Sequence, residues 1–143
     1  VIHSLVDYVD GSVLAQLGNP DMRTPIAHAL AFPARIASNV KPLNFFEVPA
    51  FTFDKPDPER YPCLYLAQQA CAAGQGATTA LNAANEIAVE AFLNRQIRFP
   101  QIAALNAQVL AHFAASKVSD LEEILSLDSQ ARVYSLKLLK DWS

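Results

Sequence analysis

The sequence predicts an α+β chain: a β-hairpin and a short helix, an extended proline-rich connection, and then a small bundle of amphipathic helices. Three observations carry this. Residues 1–18 alternate with a period of two around Asp10-Gly11; prolines at 33, 42, 49 and 56 punctuate Phe32 to Asp57; after Asp57 the apolar spacing becomes that of helices.

In the hairpin, Ile2, Ser4, Val6 and Tyr8 alternate with His3, Leu5 and Asp7. Asp10-Gly11 is a two-residue turn signal of type I′, because glycine accepts the positive φ that such a turn requires. Ser12 to Leu17 is the returning strand, ended by Gly18. Both faces carry apolar residues, so we expect coverage on both sides, or pairing with another sheet or subunit. In residues 19–31 a loop leads into a short helix, with Thr24 as N-cap and Pro25 at the first helical position. Pro33 closes it. The prolines that follow forbid a long helix up to Asp57. The interleaved Phe45, Phe46, Val48, Phe51 and Phe53 suggest a linker laid over a domain, with Ala50 to Phe53 as an edge strand.

Asp57-Pro58 opens a turn, and Pro62 to Ala73 is the first helix of the bundle, stopped by Gly74 and Gly76. Thr78 or Thr79 caps the second. Its stripe is Ala80, Ala84, Ile87 and Ala91, flanked by Leu81, Ala88 and Phe92. Pro100 starts a third, with Ile102, Leu105, Val109 and Phe113 on one face. Ser119 and Glu122 form a capping box ahead of Leu121 to Leu125. A final helix after Asp128 turns Ala131, Tyr134, Leu138 and Trp142 inward. Four or five short helices with brief connections make a small bundle.

Composition narrows the function classes. The chain has 143 residues, 52% of them hydrophobic and 17% charged, with a formal net charge of -3. It offers no basic field for nucleic acid and no apolar run of the roughly 18 residues that a membrane span needs. Nothing at its start reads as a secretory signal. Val1 opens inside an apolar extended pattern without an initiator Met, from which we expect a piece of a longer chain. Cys63 and Cys71 lie on one predicted helix with Cα atoms about 12 Å apart, too far for a disulfide, and we expect buried free thiols.

The motif content is sparse. Gly74 and Gly76 are followed by Ala77, Thr78 and Thr79, so no G-x-G-x-x-G is present. Acidic residues never gather with histidine at metal-ligand spacing. The serines lack His and Asp partners for a hydrolase triad. Asp21 and Arg23 read as a local ion pair. Asn82, Asn85 and Glu86 share one helix face, where they either anchor the bundle against a neighbouring domain or support an active-site wall. His28 and His112 are solitary on helices and read as structural or exposed.

Three stretches carry a family resemblance. They are "VIHSLVDYVDGSVLAQLGNPDMRTPIAHAL", then "KPLNF" with "RYPCLYLA", and "GQGATTALNAANEIAVEAFL". The chain resembles the 1-deoxy-D-xylulose 5-phosphate reductoisomerases over nearly its whole length. That resemblance implies an NADPH-dependent enzyme that uses a divalent metal, magnesium or manganese. It would convert 1-deoxy-D-xylulose 5-phosphate to 2-C-methyl-D-erythritol 4-phosphate in non-mevalonate isoprenoid synthesis. The implied location is cytoplasmic in bacteria and plastidic in plants, and the implied partners are the rest of the same enzyme, a homodimer partner and a phosphorylated sugar.

It further implies that 1–31 end a central catalytic domain, 32–57 connect, and 58–143 form the C-terminal helical domain. His3 matches a histidine at the substrate pocket, and Pro20 and Met22 match positions on its cofactor side. The nucleotide fingerprint, the metal ligands, the phosphate-binding residues and the lid would all precede Val1, so the chain alone should be inactive, with no catalytic residue and no metal ligand of its own. Residues 58–143 should fold alone, whereas the hairpin needs a partner chain. The alternative is a stand-alone helical interaction module that pairs through its hairpin.

Overall fold

A computed structural model of the chain describes residues 1–142. It contains a two-stranded antiparallel hairpin and five helices, in two compact units, Val1–Phe53 and a second beginning at Asp54.

In the first unit, β1 (Ile2–Asp7) pairs with β2 (Val13–Leu17). The turn is longer than expected. Tyr8 N–H donates to the Ser12 carbonyl (2.9 Å) and Gly11 N–H to the Tyr8 carbonyl (3.0 Å), so Val9, Asp10 and Gly11 form a three-residue loop with Gly11 at φ 85°. That geometry is a type I turn followed by a left-handed residue, which again needs glycine at 11. Asp10 Oδ1 favours it by accepting from both Ser12 N–H (2.9 Å) and Ser12 Oγ (2.7 Å). α1 (Arg23–Ala31) starts before Thr24: its N-cap is Met22, which offers no side-chain cap, and Asp21 Oδ1 accepts from the Arg23 N–H at 2.9 Å in the turn that leads in. Pro33 follows α1, in a cis peptide with Phe32. Residues 35–44 and 49–57 carry neither helix nor strand, and the edge strand expected at Ala50 to Phe53 is not formed. The aromatics there face outward, with Phe46 fully exposed.

The second unit is a four-helix bundle. α2 (Pro62–Ala73) and α3 (Gln75–Leu93) are separated by one residue, Gly74, at φ 107° and ψ −172°. Only glycine adopts that backbone at low cost. α3 begins at Gln75 rather than at Thr78 or Thr79, whose hydroxyls both donate back to the Gln75 carbonyl (3.0 and 2.9 Å). Gly76 is not a helix stop; it lies inside α3, where it faces the Ser116 backbone so closely that a Cβ would overlap the carbonyl. Every buried residue of α3 is Gly or Ala (76, 77, 80, 83, 84, 88 and 91). This flat surface lets α2, α4 and α5 all pack on it.

α4 (Phe99–Phe113) supplies the bulk with buried Ile102, Leu105, Val109, Leu110 and Phe113. Arg98 N–H donates to Gln101 Oε1 (2.7 Å) at its start, with Pro100 in the first turn. α5 (Leu121–Asp141) is a single helix, not two. No Pro or Gly interrupts it, and Asp128 pairs with Arg132 one turn on instead of capping a new helix. The cap at its start is one residue later than expected. Asp120 Oδ1 accepts from Glu123 N–H (2.9 Å), while Ser119 N–H and Oγ donate to Glu123 Oε2 (2.8 and 2.9 Å). Leu127 and Ala131 enter the core, and Tyr134, Leu138 and Trp142 pack on it. Cys63 and Cys71 are free, as expected, but both are exposed: they lie on the outer side of α2, which buries only Ala70.

Candidate functional site

The residues singled out by sequence for a pocket, His3, Pro20 and Met22, all fall in the first unit. The register of the hairpin shifts between Ile2, opposite Leu17, and Ser4, opposite Gln16. His3 is therefore the extra residue of a β-bulge, a device that redirects one side chain out of the ordinary alternation. Its side chain is exposed. Gly18 N–H donates to the Val1 carbonyl at 3.0 Å, so the loop carrying Pro20 and Met22 leaves the hairpin at the end where His3 sits.

In that loop Asn19 and Asp21 are partly buried while Pro20 and Met22 are exposed, Met22 at 70%. Asn19 Nδ2 donates to the Lys41 carbonyl at 2.6 Å. The expected Asp21–Arg23 ion pair is present: Arg23 Nε lies 3.0 and 3.1 Å from the two carboxylate oxygens and a terminal guanidinium nitrogen is at 2.7 Å. Arg23 holds the Asp21 carboxyl down to about 2, chiefly through its side-chain hydrogen bonds.

The polar face of α3 meets its own bundle. Asn106, 2% exposed on α4, donates from Nδ2 to Asn85 Oδ1 at 3.0 Å, while its Oδ1 has no protein partner. Asn82 Nδ2 donates to Glu86 Oε1 (3.2 Å), and Arg132 of α5 bridges Glu86 (2.7 Å) and Asp128 (2.7 Å). The Asn85–Asn106 and Glu86–Arg132 bonds join α3 to α4 and α5 of its own bundle. Arg132, held by both carboxylates, has its pKa raised; that of Glu86 is lowered, first by the Arg132 hydrogen bond. His112 stacks on Tyr134 with ring centroids 4.2 Å apart, a packing role. His28 packs edge-on against Phe32. Sequence reasoning missed Asn19, Asn106 and Arg132; only the apolar neighbours of Asn106, Leu105 and Val109, signalled its burial.

Among the described residues, no three His, Cys, Asp or Glu side chains are placed to hold a metal ion. The divalent ion implied by the resemblance therefore finds no ligand set here. Pro20 and Met22 are exposed apolar side chains in the loop after β2.

A family profile described as the DXP reductoisomerase C-terminal domain matches residues 17–134. The 1-deoxy-D-xylulose 5-phosphate reductoisomerase of Shewanella piezotolerans is 59% identical over 137 residues, which are 96% of this chain and 35% of that protein. The enzyme of the same name from Aeromonas salmonicida is 57% identical over 143 residues, 100% of this chain and 36% of its own length. Two solved structures share the fold. DOX-P reductoisomerase in complex with magnesium has a TM-score of 0.89 at 47% identity, over 98% of this chain and 37% of that one. The Zymomonas mobilis enzyme in complex with NADPH has a TM-score of 0.89 at 44% identity, over 97% and 37%. The chain thus spans about a third of the length of the relatives it matches. On the matched profile, the extent of identity and the shared fold, the chain belongs to the 1-deoxy-D-xylulose 5-phosphate reductoisomerase family.

Proposed function

We propose that this chain is the C-terminal part of an NADPH-dependent enzyme converting 1-deoxy-D-xylulose 5-phosphate to 2-C-methyl-D-erythritol 4-phosphate. The observation that carries the reading is the identity of 57–59% with relatives of that name across essentially every residue of this chain. In this reading residues 1–31 complete a central catalytic domain, 32–57 connect, and 58–143 are the helical domain. The enzyme works in the cytoplasm as a homodimer, in non-mevalonate isoprenoid synthesis.

The chain's own residues bind and orient. His3, turned out of the strand by its bulge, donates a hydrogen bond to the substrate or to a group that holds it. Pro20 and Met22 form an apolar wall on the cofactor side, excluding water from one face of the ring. Bound NADPH supplies the hydride. Among the described residues no three His, Cys, Asp or Glu side chains are placed to hold a metal ion. On this reading the chemistry rests on residues outside the chain, and the 143-residue chain alone is inactive.

The test is NADPH oxidation with 1-deoxy-D-xylulose 5-phosphate and magnesium, with intact mass verified. The chain alone should oxidise nothing, and the intact enzyme carrying it should turn over. In the intact enzyme His3→Ala should raise KM for the sugar phosphate by about tenfold, the scale of one oriented hydrogen bond. Turnover by the 143-residue chain would contradict the assignment of chemistry to residues elsewhere.

The exposed apolar hairpin favours a second reading, a stand-alone module that pairs through β1 and β2. An intact gene product without reductoisomerase activity, binding another protein through the hairpin, would select it.

A further inference from the structure

The stretch Asn19-Pro20-Asp21-Met22-Arg23 divides by alternate residues. Asn19, Asp21 and Arg23 commit their side chains to bonds within the chain: Asn19 to the Lys41 carbonyl at 2.6 Å, and Asp21 and Arg23 to each other. Asp21 also accepts from the Arg23 N–H at 2.9 Å, so its carboxylate joins the loop to the first turn of α1. Pro20 and Met22, between these anchors, make no such bond and stand exposed. Proline fixes its own φ, and Met22 has helical backbone angles, φ −64° and ψ −19°. The backbone on both sides of Met22 is therefore held, and only its flexible side chain is left to move.

We propose that Asn19, Asp21 and Arg23 are positioning residues, a clamp that presents Pro20 and Met22 to the planar ring of the nicotinamide cofactor. This rests on the reading that Pro20 and Met22 face NADPH. The chemistry suits the task. A fork of guanidinium nitrogens on a carboxylate fixes direction as well as distance, which a lysine in place of Arg23 does not reproduce. A thioether reaching a ring from a held backbone loses less freedom on binding than one on a loose loop. The carboxyl of Asp21 stays charged down to about pH 2, so the clamp persists through the working range of an enzyme near neutrality.

The experiment uses the intact enzyme, with NADPH as the probe, followed by fluorescence titration, steady-state kinetics and thermal melting. Met22→Ala tests the pocket reading and should weaken NADPH binding. Asp21→Asn keeps an oxygen to accept from the Arg23 N–H but loses the ion pair. It should raise Kd and KM for NADPH about three- to fivefold, in the range of an exposed charge pair. The KM for the sugar phosphate, kcat at saturating NADPH and Tm should stay unchanged. Arg23→Lys should lie between wild type and Asp21→Asn, and Asn19→Ala should shift Kd in the same direction. If Met22→Ala weakens NADPH binding while Asp21→Asn does not, the clamp is wrong and the pocket reading stands. If Met22→Ala has no effect, the pocket reading falls and the proposal with it. If Asp21→Asn lowers Tm, kcat and both affinities together, the pair is merely structural and the proposal is overturned.

Discussion

From Val1 to Phe53 no side chain is buried, whereas the bundle that follows buries fifteen apolar residues and two polar ones. Both regions are rich in apolar residues and both form regular backbone hydrogen bonds, so neither composition nor secondary structure separates them. What separates them is whether the apolar faces find each other. In the bundle the alanine surface of α3 receives Leu105, Val109 and Leu127. In the first unit Leu14, Ile26, Leu30 and Phe46 face outward, and a lone two-stranded sheet is marginal without such cover. The first unit leaves its apolar faces open; the second covers its own.

The sharpest way to test this difference is to truncate a leucine in each. Leu105→Ala, at a position with no exposure, should destabilise the 143-residue chain by about 2–5 kcal/mol in urea unfolding. Leu14→Ala, at a position 62% exposed, should change it by less than about 0.5 kcal/mol. If the rest of an intact enzyme covers the hairpin, as the proposed function requires, Leu14→Ala should become costly there. Next in size is Gly76→Ala. Its methyl group would meet the backbone of Ser116 rather than a side chain that can swing away, for a loss of about 1–3 kcal/mol by the same measurement.

A smaller effect is expected of Asn106→Leu. The substitution removes a buried oxygen that has no protein partner, and leaves Asn85, which is exposed, free to bond water. Stability should rise, or fall by less than about 1 kcal/mol. Loss of more than that would mean that the Asn106–Asn85 bond holds α4 to α3. The smallest effect belongs to the Glu86–Arg132 bridge at the surface. The folded pKa of Glu86 is lowered by Arg132, so the contribution is present above the ordinary carboxylate range. It disappears as pH falls through the lowered value. The difference in Tm between wild type and Glu86→Gln should therefore be greatest near neutral pH, shrink in strong acid, and shrink in high salt.

The bundle was legible because periodicity reports self-burial. Ile102, Leu105, Val109 and Phe113 fall on one face at helical spacing, and all four are buried. Caps were read less well, because the choice among neighbouring polar residues depends on a hydrogen bond that spacing alone does not decide. Met22 rather than Thr24 stands at the start of α1, led in by the Asp21 turn, and Asp120 with Glu123 replaces Ser119 with Glu122. Asp128 looked like a second start on α5, yet with no Pro or Gly nearby it had an i+4 arginine to pair with. The exposure of the free thiols is not legible in sequence, because α2 buries one narrow line through Ala70 and cysteine hydrophobicity says nothing about which side of a helix faces in. Of the candidate site, the alternation around Pro20 and Met22 was invisible, since the Asn19 bond reaches across to Lys41. The bulge that turns out His3 depends on the pairing register, which the two strands decide together.

The most direct test of the contrast is hydrogen exchange by mass spectrometry on the 143-residue chain and on the intact enzyme. The account predicts slow exchange through α3, α4 and α5 in both samples. It predicts near-complete early exchange across β1, β2 and α1 in the chain alone, with protection there in the intact enzyme. Protection of the hairpin in the isolated chain equal to that of the bundle would contradict it.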